Sequence, residues 1–174
     1  MGVTVVGLGP AGPELTTSQT VSALAAHECR YVRTMRHPAA AGLSGFVSFD
    51  SFYESAASLD EVYGAIVDAL VEAAHEYDDV LYAVPGAPSV AERTVELLRA
   101  DHRVDVTVLP ALSFLDLVWS RLGVDPVASG VRLVDGQRFA VEAAGERGPL
   151  VVAQCDSRQE LSDVKLAVDD GAGA

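Results

Sequence analysis

Cysteine is almost missing from this sequence. Cys29 and Cys155 stand far apart, so no disulfide framework is available, and both are expected as reduced structural thiols. The histidines His27, His37, His75 and His102 are scattered. No Cys/His group has ligand spacing, and no metal site is expected. Basic residues are few, 12 against 25 acidic ones, for a formal charge of −13. Such a chain repels phosphate backbones and anionic bilayers, which excludes nucleic acid and membrane surfaces as expected partners. Long apolar runs are also missing, because Asp, Glu, Arg or Gly interrupts each before it reaches bilayer length. Met1-Gly2-Val3-Thr4 carries no basic n-region and leads directly into a β-branched run. Neither a secretory leader nor a myristoylation signal is expected, and the cytoplasm is the expected location.

Apolar residues are abundant instead. They make up 49% of the chain and are spread along it, which predicts a packed globule. Val3–Val6 reads as a buried strand that stops at glycines, and a helical pattern starts at Glu14, with Pro13 suited to its first turn. Cys29–Arg33 is a second strand and Phe46–Asp50 a short third. Asp60–Glu76 is a helix with a stripe of Val62, Ile66, Ala69, Leu70 and Ala73, with Asp60 expected as its N-cap. Val80–Val84 is a strand ended by Pro85-Gly86-Ala87-Pro88, after which Ser89 is expected to cap another helix. Val104–Leu109 is a strand, and Ser113–Leu122 a helix with Leu115, Trp119 and Leu122 on a core face. Strands alternating with helices over short connections predict an α/β class with a doubly wound, mainly parallel five-stranded sheet in residues 1–126. Residues 127–148 read as a linker, although Val131–Val134 has strand character. Residues 149–174 supply one strand, Leu150–Gln154, and one helix, Ser157–Val168, and read as the start of an incomplete second α/β domain.

Three loops follow three of these strands: Gly7–Pro13, Pro85–Ser89 and Pro110–Ser113. Ligands of open α/β sheets sit at the carboxyl ends of the strands. Glycine lets a ligand approach the main chain closely, and proline stiffens the loop. The first loop matches G-x-G-x-x-G literally at Gly7, Gly9 and Gly12, which opens a dinucleotide reading. Pro10 and Pro13 around the third glycine argue against it. So does Arg33 at the end of the second strand, where an acidic ribose ligand would be needed. An arginine there would suit the 2′-phosphate of NADP, so an NADP-binding oxidoreductase stays among the alternatives.

Several segments, in order, resemble the tetrapyrrole (corrin/porphyrin) methylases. They are Val5-Val6-Gly7-Leu8-Gly9-Pro10 with Glu14-Leu15-Thr16, then Tyr82 to Glu92 around Pro85-Gly86-Ala87-Pro88, then Pro110-Ala111-Leu112-Ser113-Phe114. Arg33-Thr34-Met35-Arg36-His37-Pro38, Phe49-Asp50-Ser51-Phe52-Tyr53-Glu54 and Leu122-Gly123-Val124-Asp125-Pro126 are similar to a subgroup fused to MazG-type nucleoside triphosphate pyrophosphohydrolases. Pro149–Leu166 resembles the start of the family's second domain. The resemblance implies S-adenosylmethionine as cofactor. It would be held by Gly9 and Pro10, by Pro85, Gly86 and Ala87 at its amino-acid end, by Val90, and by Ser113 and Phe114 on the adenosine side. It also implies a small-molecule substrate and a possible homodimer.

The departures from the family's pattern concern carboxylates. Ala87 stands where many of these methylases have Asp, and Arg33-Thr34 where the uroporphyrinogen methylases carry an acidic residue proposed as a base. Ala11-Gly12 replaces the more usual Gly-Asp. No catalytic residue is therefore assigned. Arg33, Arg36 and His37 form a local positive cluster suited to a substrate carboxylate or phosphate, with Tyr53 as a further substrate candidate. Asp50 and Glu54 could join them, though loop capping is the simpler role for both. Glu72 and Glu76 have the spacing of a metal-binding pair but read as a solvated helix face. The leading expectation is an S-adenosylmethionine-dependent methyltransferase domain, and the first alternative is a non-catalytic ligand-binding or regulatory module.

Overall fold

The computed structural model describes residues 1–143, 148–155 and 157–172, which form two compact units, Met1–Val118 and Trp119–Ala174. In the first, β1 (Gly2–Gly7), β2 (Arg30–Val32), β3 (Val47–Ser48), β4 (Asp79–Val84) and β5 (Asp105–Val108) build one sheet in the order β3-β2-β4-β1-β5. Every pairing is parallel, with Val5 opposite Tyr82 on one side and Val108 on the other. This is the expected α/β class.

Side-chain alternation explains why helices cover both faces. Val3 and Val5 of β1, with Val80, Tyr82 and Val84 of β4, face one core together with Val62, Ile66 and Leu70 of α3 (Leu59–Tyr77) and Val95 and Leu98 of α4 (Arg93–Ala100). Val6, Val32, Leu81 and Ala83 face the other, where Ala23 and Leu24 of α1 (Ser18–Ala26) pack. A central parallel strand is buried on both sides, so β4 reads as a continuous apolar run.

Several boundaries differ from the sequence expectation. α1 does not follow the Gly-rich loop directly, because a 3-10 turn at Pro13–Leu15 intervenes and Thr17 caps the helix, its side chain accepting from Thr20 N. The N-cap of α3 is Ser58, not Asp60: its hydroxyl accepts from Glu61 N at 3.3 Å, and Glu61 reaches back to Ala57 N at 3.1 Å. That is a capping-box pattern displaced by one donor. Ser89 caps nothing: residues 88–91 turn, with Ala91 at φ 54°, and α4 starts only at Arg93. The helix α2 (Asp50–Ser55) starts directly after β3 and is fixed by Phe49, which is 2% exposed and packs on Tyr31, Phe52 and Tyr82 at 5.2–5.9 Å between ring centroids.

α5 (Phe114–Leu122) has no buried residue, and Leu122 is 66% exposed, so the core face expected around Trp119 is only half covered. In the second unit, β6 (Arg132–Asp135) pairs in parallel with β7 (Leu150–Ala153). Between them lie a 3-10 turn and α6 (Phe139–Glu142), and α7 (Arg158–Ala172) follows. Residues 127–148, expected as a linker, thus carry a strand and a short helix; within that stretch 144–147 lie outside the described residues. Val134 and Phe139 are buried, so this segment contributes apolar side chains to a packed unit.

Candidate functional site

The loops after β1, β4 and β5 meet at the carboxyl edge of the sheet, with Gly7 at the junction. A Cβ there would lie 2.3 Å from the Gly86 carbonyl, 2.6 Å from the Ala111 methyl and 2.7 Å from Pro88 Cδ. Only glycine lets three chains approach this closely. The first two loops are also laced together: Leu8 N donates to Val84 O, Gly9 N to Gly86 O at 3.2 Å, and Gly86 N to Gly9 O at 2.9 Å. Gly9 and Gly86 both have positive φ, 80° and 65°. Two threonines brace the first loop from behind, Thr16 donating to Leu8 O and Thr20 to Gly7 O.

Gly86 leaves open space at this edge. A Cβ on it would meet nothing within 4 Å, although the chain is tightly held on its other side. Pro10, Pro85 and Val90 are half-buried around it, and Ala87 is buried, with Val90 N closing a turn on Ala87 O. Ser113 is buried and donates from N and Oγ to Asp116, starting α5, while Phe114 leaves 36% of its surface exposed. Stiff loops around accessible main chain suit a ligand with an apolar body and a few polar ends.

Beside Pro85 lies a cavity of about 280 Å³ lined by Arg33, Thr34, Arg36, Asp50, Tyr53 and Pro85. Three of the four expected substrate residues, Arg33, Arg36 and Tyr53, therefore come together. His37 is not among them: its ring accepts from Ala39 N and caps a 3-10 turn, and burial lowers its pKa. Asp50 staples the adjoining loops, accepting from Thr34 Oγ1, Met35 N and Ser48 Oγ. Burial opposes its charge, but those bonds and Arg36 outweigh it and hold the carboxyl below its ordinary range. Glu72 and Glu76 are exposed, and no group of three metal-ligating side chains occurs among the described residues.

Behind the cavity runs a polar chain that sequence reasoning missed. Glu92, with its side chain 2% exposed, takes Arg33 Nη1 at 2.7 Å on one oxygen and Thr94 Oγ1 at 2.7 Å on the other. Thr94 in turn bonds the Tyr82 hydroxyl at 3.1 Å, and Arg33 Nε donates to the Tyr53 hydroxyl at 2.9 Å. Burial opposes the charge on Arg33, yet Glu92 and Tyr53 raise its pKa above the ordinary value. Burial, then Glu92, push Tyr82 well up. The available signal was Tyr82 itself, because a tyrosine in an otherwise apolar central strand needs a partner for its hydroxyl. A second cavity, of about 380 Å³, opens at the opposite, amino edge between His27, Glu28, Cys29, Tyr77 and Asp79, where His27 bridges Ala23 O and Asp79.

Known proteins share both sequence and fold with this chain. It is 36% identical over 173 residues to the uncharacterized protein YabN of Bacillus subtilis (strain 168), a match covering 95% of this chain and 35% of that protein. The chain thus spans about a third of that curated relative's length. Uroporphyrin-III C-methyl transferase from Thermus thermophilus, complexed with S-adenyl homocysteine, superposes with a TM-score of 0.65 at 24% identity, over 98% of this chain and 73% of that one. Precorrin-6Y methylase from Archaeoglobus fulgidus gives 0.61 at 20% identity, over 87% and 72%. These two likenesses concern the fold. The sequence match carries the family: residues 2–165 fit the Tetrapyrrole (Corrin/Porphyrin) Methylases, and with its three Gly/Pro loops gathered at one sheet edge this chain belongs to that family.

Proposed function

We propose that this chain is the S-adenosylmethionine-binding part of a methyltransferase that acts on a small molecule. One observation carries the reading: the three loops converge on Gly7 and leave Gly86 open at the carboxyl edge, where α/β sheets bind ligands. Gly9, Pro10, Pro85, Gly86, Ala87, Val90, Ser113 and Phe114 would hold the cofactor. When bound, it supplies an electrophilic methyl group on a sulfonium. The residues of this chain supply alignment, through loops braced by Thr16 and Thr20, and apolar walls that exclude water. The cavity between Pro85 and Tyr53 lies next to these loops and suits the methyl acceptor.

A non-catalytic ligand-binding module is the second reading, supported by the state of the carboxylates. Asp50 accepts three hydrogen bonds that staple its loops, Glu92 is tied to Arg33, and Ala87 has no side-chain oxygen, so among the described residues the lining offers no uncommitted carboxylate as a base. On this reading, catalysis would belong to a longer fusion protein of MazG type. The NADP alternative loses support: Arg33 is committed to Glu92, and the third glycine of the motif faces its own neighbour Glu14 instead of packing a helix on a strand.

Calorimetric titration with S-adenosylhomocysteine, with NADPH as control, tests the proposal. Saturable 1:1 binding that disappears in Gly86→Val is expected. A folded sample that gives no heat with S-adenosylhomocysteine would sink it. Methyl transfer to an acceptor then separates the enzyme from the binding module.

A further inference from the structure

The lining of the carboxyl-edge cavity has an imbalance between charge and hydrogen bonding. Its two guanidiniums are already matched. Arg33 pairs with the buried Glu92 at 2.7 Å, and Arg36 pairs with Glu54 at 3.1 Å and approaches Asp50 at 3.9 Å. Two cations thus face three carboxylates, inside a protein of formal charge −13. Such a field repels an incoming anion.

The unspent hydrogen-bonding capacity points the other way. Asp50 accepts through both oxygens, and Thr34 donates to Asp50 while accepting from Arg36 N. Arg33 has used Nε and one N–H of Nη1, which leaves the rest of its five-donor fork. The Tyr53 oxygen accepts from Arg33, so its own hydroxyl proton is available. Among the described residues, the side chains around this cavity have several donors to spare, whereas most of the acceptor sites of Asp50 are already in use. The cavity's volume, about 280 Å³, sits at the lower end of small-molecule sites.

We infer that this cavity selects a neutral molecule that presents a hydrogen-bond-accepting carbonyl-type oxygen to Arg33 and Tyr53, and that it disfavours carboxylates and phosphates because Glu92, Glu54 and Asp50 already neutralise its two arginines. Glu92 is a positioning residue here: it fixes the guanidinium fork and cancels its charge. The identification of this occupant with the methyl acceptor rests on the methyltransferase reading; the preference of the cavity itself does not.

The test uses the full chain, ¹⁵N-labelled, with benzamide and benzoate as probes of matched shape. The Nε–H resonance of Arg33, assigned by its loss in Arg33→Lys, should shift saturably with benzamide, and benzoate should bind about ten-fold more weakly. Glu92→Gln removes the cancelling charge and should raise benzoate affinity relative to benzamide about ten-fold, bringing the two probes level, a change in their ratio that a purely structural role for Glu92 would not produce. If Glu92→Gln fails to fold, the exposed Glu54→Gln should still strengthen benzoate about two-fold through Arg36. Benzoate binding as tightly as benzamide to the unaltered chain, or no movement of the Arg33 signal with either probe, would overturn the inference. So would a benzoate-to-benzamide affinity ratio unmoved by the charge variant. S-adenosylhomocysteine binding in the same sample separates the two ideas. If it binds while both probes fail, the cavity preference falls alone. If benzamide binds while S-adenosylhomocysteine does not, the methyltransferase reading falls alone.

Discussion

Arg33 and Glu92, far apart in sequence, are joined by a 2.7 Å ion pair that ties the end of β2 to the start of α4. The carboxylate is almost wholly buried and the guanidinium only partly so. Removing one partner of such a pair strands the other. Arg33→Met should therefore cost about 3–5 kcal/mol in denaturant unfolding. The double change Arg33→Met with Glu92→Met should recover most of that loss. Equal destabilisation in single and double variants would show that the pair has no such role.

Gly7→Ala places a methyl group where the Gly86 carbonyl, Ala111 and Pro88 already stand. The backbone carbonyl has little room to give way. A loss of about 3 kcal/mol and loss of S-adenosylhomocysteine binding are expected together, measured by thermal melts and calorimetry.

Gly86→Ala should behave differently. Its Cβ meets no atom, so only the positive φ of 65° is strained, at about 1 kcal/mol. The variant should fold almost normally while its ligand affinity falls. Unchanged affinity in a folded Gly86→Ala protein would move the ligand away from this loop.

Asp50 links the loops after β2 and β3, and its folded-state pKa is depressed. A depressed carboxylate contributes stability that is complete above its unfolded pKa of about 3.9 and is lost as pH falls through the folded value. Unfolding free energy should thus decline as the solution is acidified below about pH 4, and Asp50→Asn should flatten part of that decline. Parallel urea titrations of both proteins across the acid range measure the difference.

Much of the sheet was legible because its central strands are buried on both faces, so Val3–Val6 and Val80–Val84 stand out as apolar runs ended by Gly and Pro. The α3 stripe was legible for the same reason, at a period of 3.6. The start of α4 was not. Ser89 has the chemistry of a cap, but the chain spends residues 88–91 on a turn first, and local chemistry cannot reveal that. The grouping of Arg33, Arg36 and Tyr53 was anticipated, whereas their neutralisation was not. That depends on Glu92, which comes near Arg33 only because β2 and β4 are neighbours in the sheet. Residues 127–148 were harder to read for a related reason: β6 is short and carries one buried side chain, Val134, so the sequence shows strand character at Val131–Val134 but nothing local reveals its pairing with β7.

The strand order also sets when this fold can form. Among the described residues β1 pairs only with β4 and β5, so Gly2 must wait for Asp79 and Asp105 to exist. A ribosome that has released the first 78 residues exposes a valine-rich segment with no partner, alongside only the two residue pairs of β2 with β3. Such distant parallel pairing makes folding slow and leaves the early chain open to aggregation. The nascent N-terminal half is therefore where holding chaperones would engage, and slow synthesis before β4 would lengthen that exposure.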